Sequence, residues 1–436
     1  MSNRKGYKTT RIGDMPEDWE TTQTVDICKG TTERFLDGDW ILTKDLEDVG
    51  DVRLIQLSNI GEGLFIDESK RWVSSEKCSQ LQCTLLKPRD ILVSRMADPV
   101  ARSCILPVLP YRCITAVDVS IVRPNEKEYD TRLVNYLFNS KIVRYQAQSA
   151  SAGATRPRIS RTNLEKLLIP KPPIQEQRKI ASILSTVDDA IQKTDEIIAR
   201  TQQLKKGLMQ QLLTKGIGHT KFKQTEIGEI PEEWRVVSFG DISTIQNGRF
   251  FPSEHYIEDG IKLLRPGNLH EDGFVEWNQA NTKCLPAVYA ETAREWIVKG
   301  GEIVMNLTAQ SLEDEFLGRA CMTRDDEYCL LNQRIARISS QDMDQGFLFW
   351  VLKSRIFRRF ADALPGGTKI KHIYGRDLRR FRFPCPPLIE QKEIAKILFE
   401  VTQKVACEKD GRAKLLSLKK ALISVLLTGK VRVKVD

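Results

Sequence analysis

Between Gln175 and Leu213 apolar residues return every three to four positions, and no proline interrupts them. At 1.5 Å per residue the pattern predicts a single helix of roughly 58 Å. Written in heptads with Ile180 at a, the a sites are Ile180, Val187, Thr194, Thr201 and Leu208. The d sites are Ile183, Ala190, Ile197, Leu204 and Gln211, and the e sites Leu184, Ile191, Ile198, Lys205 and Leu212. This stripe is wider than a two-stranded seam requires, so the helix is expected to pack against more than one neighbour. The segment then recurs: residues 170–214 and 384–428 align without a gap, with 18 of 45 positions identical. Glu176-Gln177 matches Glu390-Gln391, and Leu204-Lys205-Lys206 matches Leu418-Lys419-Lys420. In the second copy Thr194, Ile197 and Ile198 become Glu408, Gly411 and Arg412, which predicts a bend or a polar layer there.

Upstream of each helix the pattern changes to short strand-like runs between Gly, Pro and Asp turns. The first set is 53–60, 90–94 and 117–122, and the second 262–264, 302–306 and 334–338. A helical stretch follows in each (132–148 and 346–363), then a loop (151–160 and 364–373), a short strand ending in proline, and the paired prolines that open the long helix. Residues 12–27 and 227–242 also match at 7 of 16 positions, including Trp19 with Trp234. The chain therefore reads as a tandem duplication. The expected fold class is α+β: two globular mixed α/β heads separated by two long helices packed as an antiparallel coiled coil, with a pseudo-two-fold internal repeat. The expected divisions are 1–170 and 216–384 for the heads, and 171–215 and 385–430 for the helical spacers. Antiparallel pairing is preferred because it keeps the heads at opposite ends of a rod.

Composition, with 41% hydrophobic and 29% charged residues, is that of a folded protein. The absence of a long apolar run predicts a cytoplasmic chain that does not enter membranes. Ten cysteines without a CxxC pair predict reduced, mostly buried thiols. The net charge of +9 is modest, but it is segregated. Residues 14–86 hold 7 basic against 16 acidic side chains, 87–166 hold 14 against 7, and 353–382 hold 10 against 2. Two basic segments, each just before a long helix, suit two phosphate-binding surfaces.

Reading bases requires Arg or Lys for guanine and Asn or Gln for adenine. Loops next to the strands offer Asn59, Arg95 and Arg102 in the first half, and Arg265, Asn268, Asn306, Gln310 and Arg319 in the second. The paired basic loops offer Thr155, Arg156 and Arg158, and Thr368, Lys369 and Lys371, after glycines that permit close approach to phosphate. Trp19 and Trp234 read as core anchors. The four histidines have no metal-binding spacing, and Gly366–Lys369 lacks the order of an ATP-binding loop, so no metal site and no catalytic residue is expected.

The residues Ile230-Pro-Glu-Glu-Trp234, the Gly-Gly-Thr-Lys loop, the PPLIEQKEIAKIL start of the second helix and the LKKGLMQQLLT end of the first resemble the specificity subunit of type I restriction-modification enzymes. The resemblance covers nearly the whole chain. It implies two target recognition domains, each reading one half of a bipartite site in double-stranded DNA. It also implies helical regions that set the spacing and dock two modification (methyltransferase) subunits, with restriction (motor-nuclease) subunits joining later. No cofactor is then expected on this chain, while S-adenosylmethionine, Mg2+ and ATP belong to partners. The subunit interface is expected on the apolar stripe at Ile180, Leu184, Val187, Ile191, Ile198, Leu208 and Leu212, and at Ile394, Leu398, Val401, Leu422 and Leu426. Competing readings are a coiled-coil adaptor for protein or RNA, the specificity subunit of a fused nuclease-methyltransferase system, and a stand-alone methyltransferase. The last conflicts with the missing cofactor loop and catalytic motif.

Overall fold

The computed structural model describes residues 6–30, 35–96, 99–153, 155–309, 316–364 and 371–434. It divides into two compact units. The first comprises 1–195 with 410–436, and the second 196–409. Each unit is a head plus a stretch of both long helices, which run Ile174–Lys215 and Leu388–Leu426.

In the first unit an antiparallel four-stranded sheet is ordered Leu36–Asp37, Val119–Val122, Ile91–Ser94, Ser103–Ile105. Beside it lies a three-stranded sheet, Arg71–Val73, Val52–Ile55 and Arg112–Thr115, whose last two strands are parallel. The second unit repeats the plan with Thr244–Asn247, Ile335–Ser339, Ile303–Asn306 and Ala320–Met322. Its other sheet has four strands: Cys284–Leu285, Ile261–Leu264, Tyr328–Leu331 and Ile297–Lys299. The strands are almost continuously apolar because both faces are covered: Ile91–Ser94 and Val119–Val122 are buried at every position.

Each expected helix of the heads is in fact two. Thr131–Phe138 and Lys141–Ser149 meet at Ser140, whose hydroxyl accepts the Val143 N–H and starts a new helix. Ser354 does the same between Gln345–Leu352 and Arg355–Ala363. Periodicity continued across both breaks, so only the caps betray them.

The head is closed by its own ends. Glu20–Gln23 pairs antiparallel with Leu168–Lys171, and Arg235–Ser238 with Arg382–Cys385, so each long helix leaves from a strand fixed beside the head's start. In the first unit Ile180, Ala181 and Leu184 pack with Trp19, Leu133, Leu137, Leu426 and Leu427 in one core. The N-terminal part of one long helix thus lies along the C-terminal part of the other, which makes them antiparallel. Lys419 reaches Asp188 at 2.6 Å in the same unit, consistent with that direction. In the second unit Leu212 and Leu213 meet Ile394, Ala395, Leu398, Phe347 and Trp234, again antiparallel. The second helix runs through Gly411 without interruption, and the altered middle forms a polar layer in which Arg412 pairs with Asp195. All ten cysteines are free thiols, and only Cys83 and Cys407 are not buried.

These cores alter the expected helix interface. Ile180, Leu184, Leu212, Ile394, Leu398 and Leu426 are at most 5% exposed and are spent inside the chain. Val187, Ile191, Ile198, Leu208, Val401 and Leu422 are half-buried. Away from the helix starts, the large apolar side chains left open are Leu416 and Leu418 in the first unit and Ile197 and Leu204 in the second, between 41% and 55% exposed; at the start of the second helix Leu388 and Ile389 are open as well.

Candidate nucleic-acid interface

In the first head the basic loop is carried by two adjoining elements. Gly153 takes φ +99°, and the chain returns so that Arg158 forms bridges with both Ala152 and Met96. The turn is thereby pinned beside the end of strand Ile91–Ser94. Thr155, Arg156 and Arg158 are exposed, and Arg158 is held by Asp118 at 2.8 Å. A cavity of about 700 Å³ opens between this turn and Pro99-Val100, with Arg144 and Gln148 from helix Lys141–Ser149 on its wall. One exposed arginine, one tethered arginine and a helix face of Arg144, Tyr145 and Gln148 can meet a polyanion along a line. Tyr145 is 76% exposed beside them. These helix residues were not among the sequence candidates, although Arg144 and Gln148 share one face at i, i+4 spacing.

The second head brings the same elements together. Lys371–His372 pairs with Thr308–Ala309, so Lys371, half-buried, stands opposite Ala309 just past strand Ile303–Asn306. Burial pushes the His372 imidazole pKa down, so its neutral form is favoured. Helix Arg355–Ala363 supplies exposed Arg355 and Arg359. Gln310, Thr368 and Lys369 lie outside the described residues.

The other candidates have structural tasks. Asn59 is fully buried: its carbonyl accepts the Gln56 N–H at 3.0 Å and its amide donates to Ile66 and Ser69 carbonyls at 2.8 and 3.0 Å. Asn268 repeats this, accepting from Arg265 N–H at 2.9 Å and donating to Glu276 and Asn281 carbonyls. Both close a short 3-10 turn after a strand, and neither presents an amide to a base edge. Asn306 is fully buried, with its amide on the Thr308 and Phe316 carbonyls at 2.7 and 2.9 Å. Arg102 donates to Ile60 and Leu57 carbonyls at 2.8 and 3.0 Å, and Arg319 reaches the Leu269 carbonyl at 3.4 Å while lying over Phe316. Arg265 is half-buried, bonded to the Asn281 carbonyl at 3.3 Å and set over Tyr256. Arg95 is 5% exposed, bonded to the Val117 carbonyl and 3.4 Å from Asp37. Burial and the nearby Arg158 and Arg161 work against its charge, and Asp37 and Asp118 offset them. For Asn59, Asn268, Asn306 and Arg95 burial corrects the expectation of base contact, because polar side chains after a strand are also what the fold needs to satisfy buried backbone groups; Arg102, Arg265 and Arg319 are half-buried.

Each head is anchored to its long helix by a carboxylate, buried in the case of Glu176 and half-buried in that of Glu390. Trp19 Nε1 donates to Glu176 at 2.9 Å, and Trp234 Nε1 donates to Glu390 at 2.9 Å. The remaining oxygens are taken differently in the two units. Arg432 donates to Glu176 at 2.7 and 2.9 Å and bidentately to Asp18 at 2.8 and 2.7 Å. In the second unit the His219 ring and the Ile217 N–H serve Glu390 at 3.0 and 2.9 Å.

Comparison with known proteins agrees with this architecture. The family model described as type I restriction modification DNA specificity domain matches twice, over residues 16–203 and 231–417. The chain is 33% identical over 304 residues to the type I restriction enzyme MjaVIII specificity subunit of Methanocaldococcus jannaschii, covering 69% of this chain and 70% of that one. It is 29% identical to the putative MjaX specificity subunit of the same organism, covering 99% and 97%. Among solved structures, the type I restriction-modification system S subunit from M. genitalium matches with a TM-score of 0.57 at 14% identity, over 94% of this chain and 96% of that one, a likeness of fold. With the specificity domain matched once in each half, on repeated heads and antiparallel helices, the chain belongs to the type I restriction-modification DNA specificity family.

Proposed function

We propose that this chain is the DNA-reading subunit of a type I restriction-modification complex, with each head reading one word of an asymmetric bipartite site. One observation carries the reading: the heads share closing strands, capped helices and Trp–Glu anchors, yet differ in the loops and strands around them. The second head has an extra strand, Ile297–Lys299, beside Tyr328–Leu331, and the turns after the matching strands differ in sequence, 94–103 in the first head against 306–319 in the second. A shared scaffold holding different surfaces suits two different words.

Backbone contact is assigned to Thr155, Arg156 and Arg158 in the first head and to Thr368, Lys369 and Lys371 in the second, and to Arg144 and Arg355 on the head helices. The exposed helix residues Ile197, Leu204, Leu416 and Leu418 are assigned to modification subunits, which then carry S-adenosylmethionine and the methyl transfer. Restriction subunits with ATP and Mg2+ complete the complex, and this chain performs no catalysis. The test is coexpression with a modification subunit, followed by single-molecule mapping of methylated adenines. A gapped two-word motif that disappears without this chain supports the reading. A contiguous motif, or methylation that persists without the chain, contradicts it.

A further inference from the structure

The duplication provides an internal control for polar groups on the long helices, and at one place the copies differ in charge. In the first unit Lys419 pairs with Asp188 at 2.6 Å, and the Tyr136 hydroxyl donates to the same carboxylate at 2.6 Å. The Lys419 ammonium also lies over the Tyr136 ring at 5.8 Å. In the second unit the repeat places Lys205 at the position of Lys419, Trp350 at that of Tyr136 and Thr402 at that of Asp188. The cation over an aromatic ring is kept: Lys205 Nζ is 5.0 Å from the Trp350 centroid. The carboxylate is not. Buried Thr402 donates instead to the Leu398 carbonyl of its own helix at 2.8 Å.

Two polar groups are left without the partners their counterparts have. Among the described residues no carboxylate stands within 4 Å of Lys205, and the fully buried Trp350 indole N–H has no acceptor. Burial, with Lys353 and Lys409 nearby, pushes the Lys205 ammonium pKa down to about 8, although Asp272 opposes the shift. Lys205 lines a cavity of about 360 Å³. Every ionisable side chain on its wall is basic: Lys205, Lys206, Lys353 and Arg355. A second hollow of about 910 Å³, which Lys205 also lines together with Thr402, carries both signs, with Lys409 and Arg324 against Glu271, Asp272, Asp325 and Asp326. The basic cavity is therefore the side from which negative charge is attracted.

We propose that the cavity beside Lys205 binds a compact anion, a carboxylate or a phosphate, which supplies to the second unit the negative charge that Asp188 supplies to the first. An ammonium withdrawn from water is stabilised by an opposite charge at close range, and the apolar walls at Met209, Leu213 and Ile356 weaken screening there. The assignment does not depend on DNA reading. The anion comes either from free phosphate or from a carboxylate-bearing molecule.

The test is a pH titration of the full chain with 13C-methylated lysines, read by NMR in chloride buffer, the Lys205 resonance being the one missing in Lys205→Met. It should titrate near 8 in chloride. Adding phosphate or acetate at constant ionic strength should raise that value by at least about one pH unit, a roughly tenfold preference of the anion for the charged form. Thr402→Asp restores the missing carboxylate, and should raise the Lys205 value without added anion and remove the response. Phosphate acting alone identifies the free ion, and acetate acting identifies a carboxylate. No movement with either anion overturns the proposal, as does an equal response in wild type and Thr402→Asp. Should Thr402→Asp fail to fold, the wild-type titration decides.

Discussion

Replacing Arg432 by alanine tests how the first head is held to the helices. Glu176 is 2% exposed, and its carboxylate has three donors: Trp19 Nε1 and two from Arg432. Without the guanidinium, one buried negative charge keeps a single neutral donor. Breaking a fully buried pair costs roughly 3–5 kcal/mol, but the Arg432 side chain is 43% exposed, so water screens part of the loss. The expected destabilisation is about 2–3 kcal/mol, and for a unit of this size roughly 4–12 °C in Tm. Glu176→Gln should cost less, because the amide oxygen still accepts from Trp19. The double variant should be no worse than Arg432→Ala alone, because no buried charge is then left unpaired, and Asp18 is 52% exposed to water. The effect also has a pH signature. Arg432 hydrogen bonds hold the Asp18 carboxyl below its ordinary range, so this contribution is present above about pH 4 and is lost as pH falls through the lower folded-state value. Urea unfolding at pH 7 with hydrogen-exchange readout of the first unit measures all three variants. Strictly additive losses, or an Arg432→Ala change under about 0.5 kcal/mol, would refute the reasoning.

Leu184→Ala should cost about 2–5 kcal/mol of first-unit stability, because the side chain is fully buried in the Trp19 core; a variant that unfolds normally and only fails to bind partners would return it to the subunit interface. Asn268→Ala should lower second-unit stability by about 1–3 kcal/mol in thermal unfolding, since it strands the Arg265 N–H, and should leave the salt dependence of DNA binding unchanged. Arg156→Ala, in contrast, should leave stability within about 0.5 kcal/mol and reduce the slope of log K against log salt by roughly 0.9 for one lost phosphate contact, measured by fluorescence titration.

The elements most legible in the sequence are those set by period and repetition. The expected first helix, 175–213, lies within two residues of the observed ends and the second, 385–430, within four, because sustained periodicity leaves few alternatives. Their antiparallel pairing followed from the duplication. The breaks at Ser140 and Ser354 were hidden because a serine cap interrupts the backbone without disturbing the apolar pattern. Of the candidate site, the sequence showed where the exposed basic turn at Thr155, Arg156 and Arg158 lies, but not that Asn59, Asn268 and Asn306 would be buried. Asn59 with Asn268, and Arg102 with Arg319, occupy matching places in the two heads, and a residue kept in both cannot by itself distinguish two words. That repetition was the available sign of a structural role. That Arg144 and Gln148 line the cavity beside the first basic turn was not legible, because reading the helix for its apolar face leaves its polar face unexamined.

The central claim is that each head reads its own word. Exchanging residues 14–170 for the corresponding head of another member of the family, and mapping methylated adenines in cells that also carry the modification subunit, tests it most directly. One half of the gapped motif should change, while the other half stays as it was. A change in both halves, or in neither, would contradict the account.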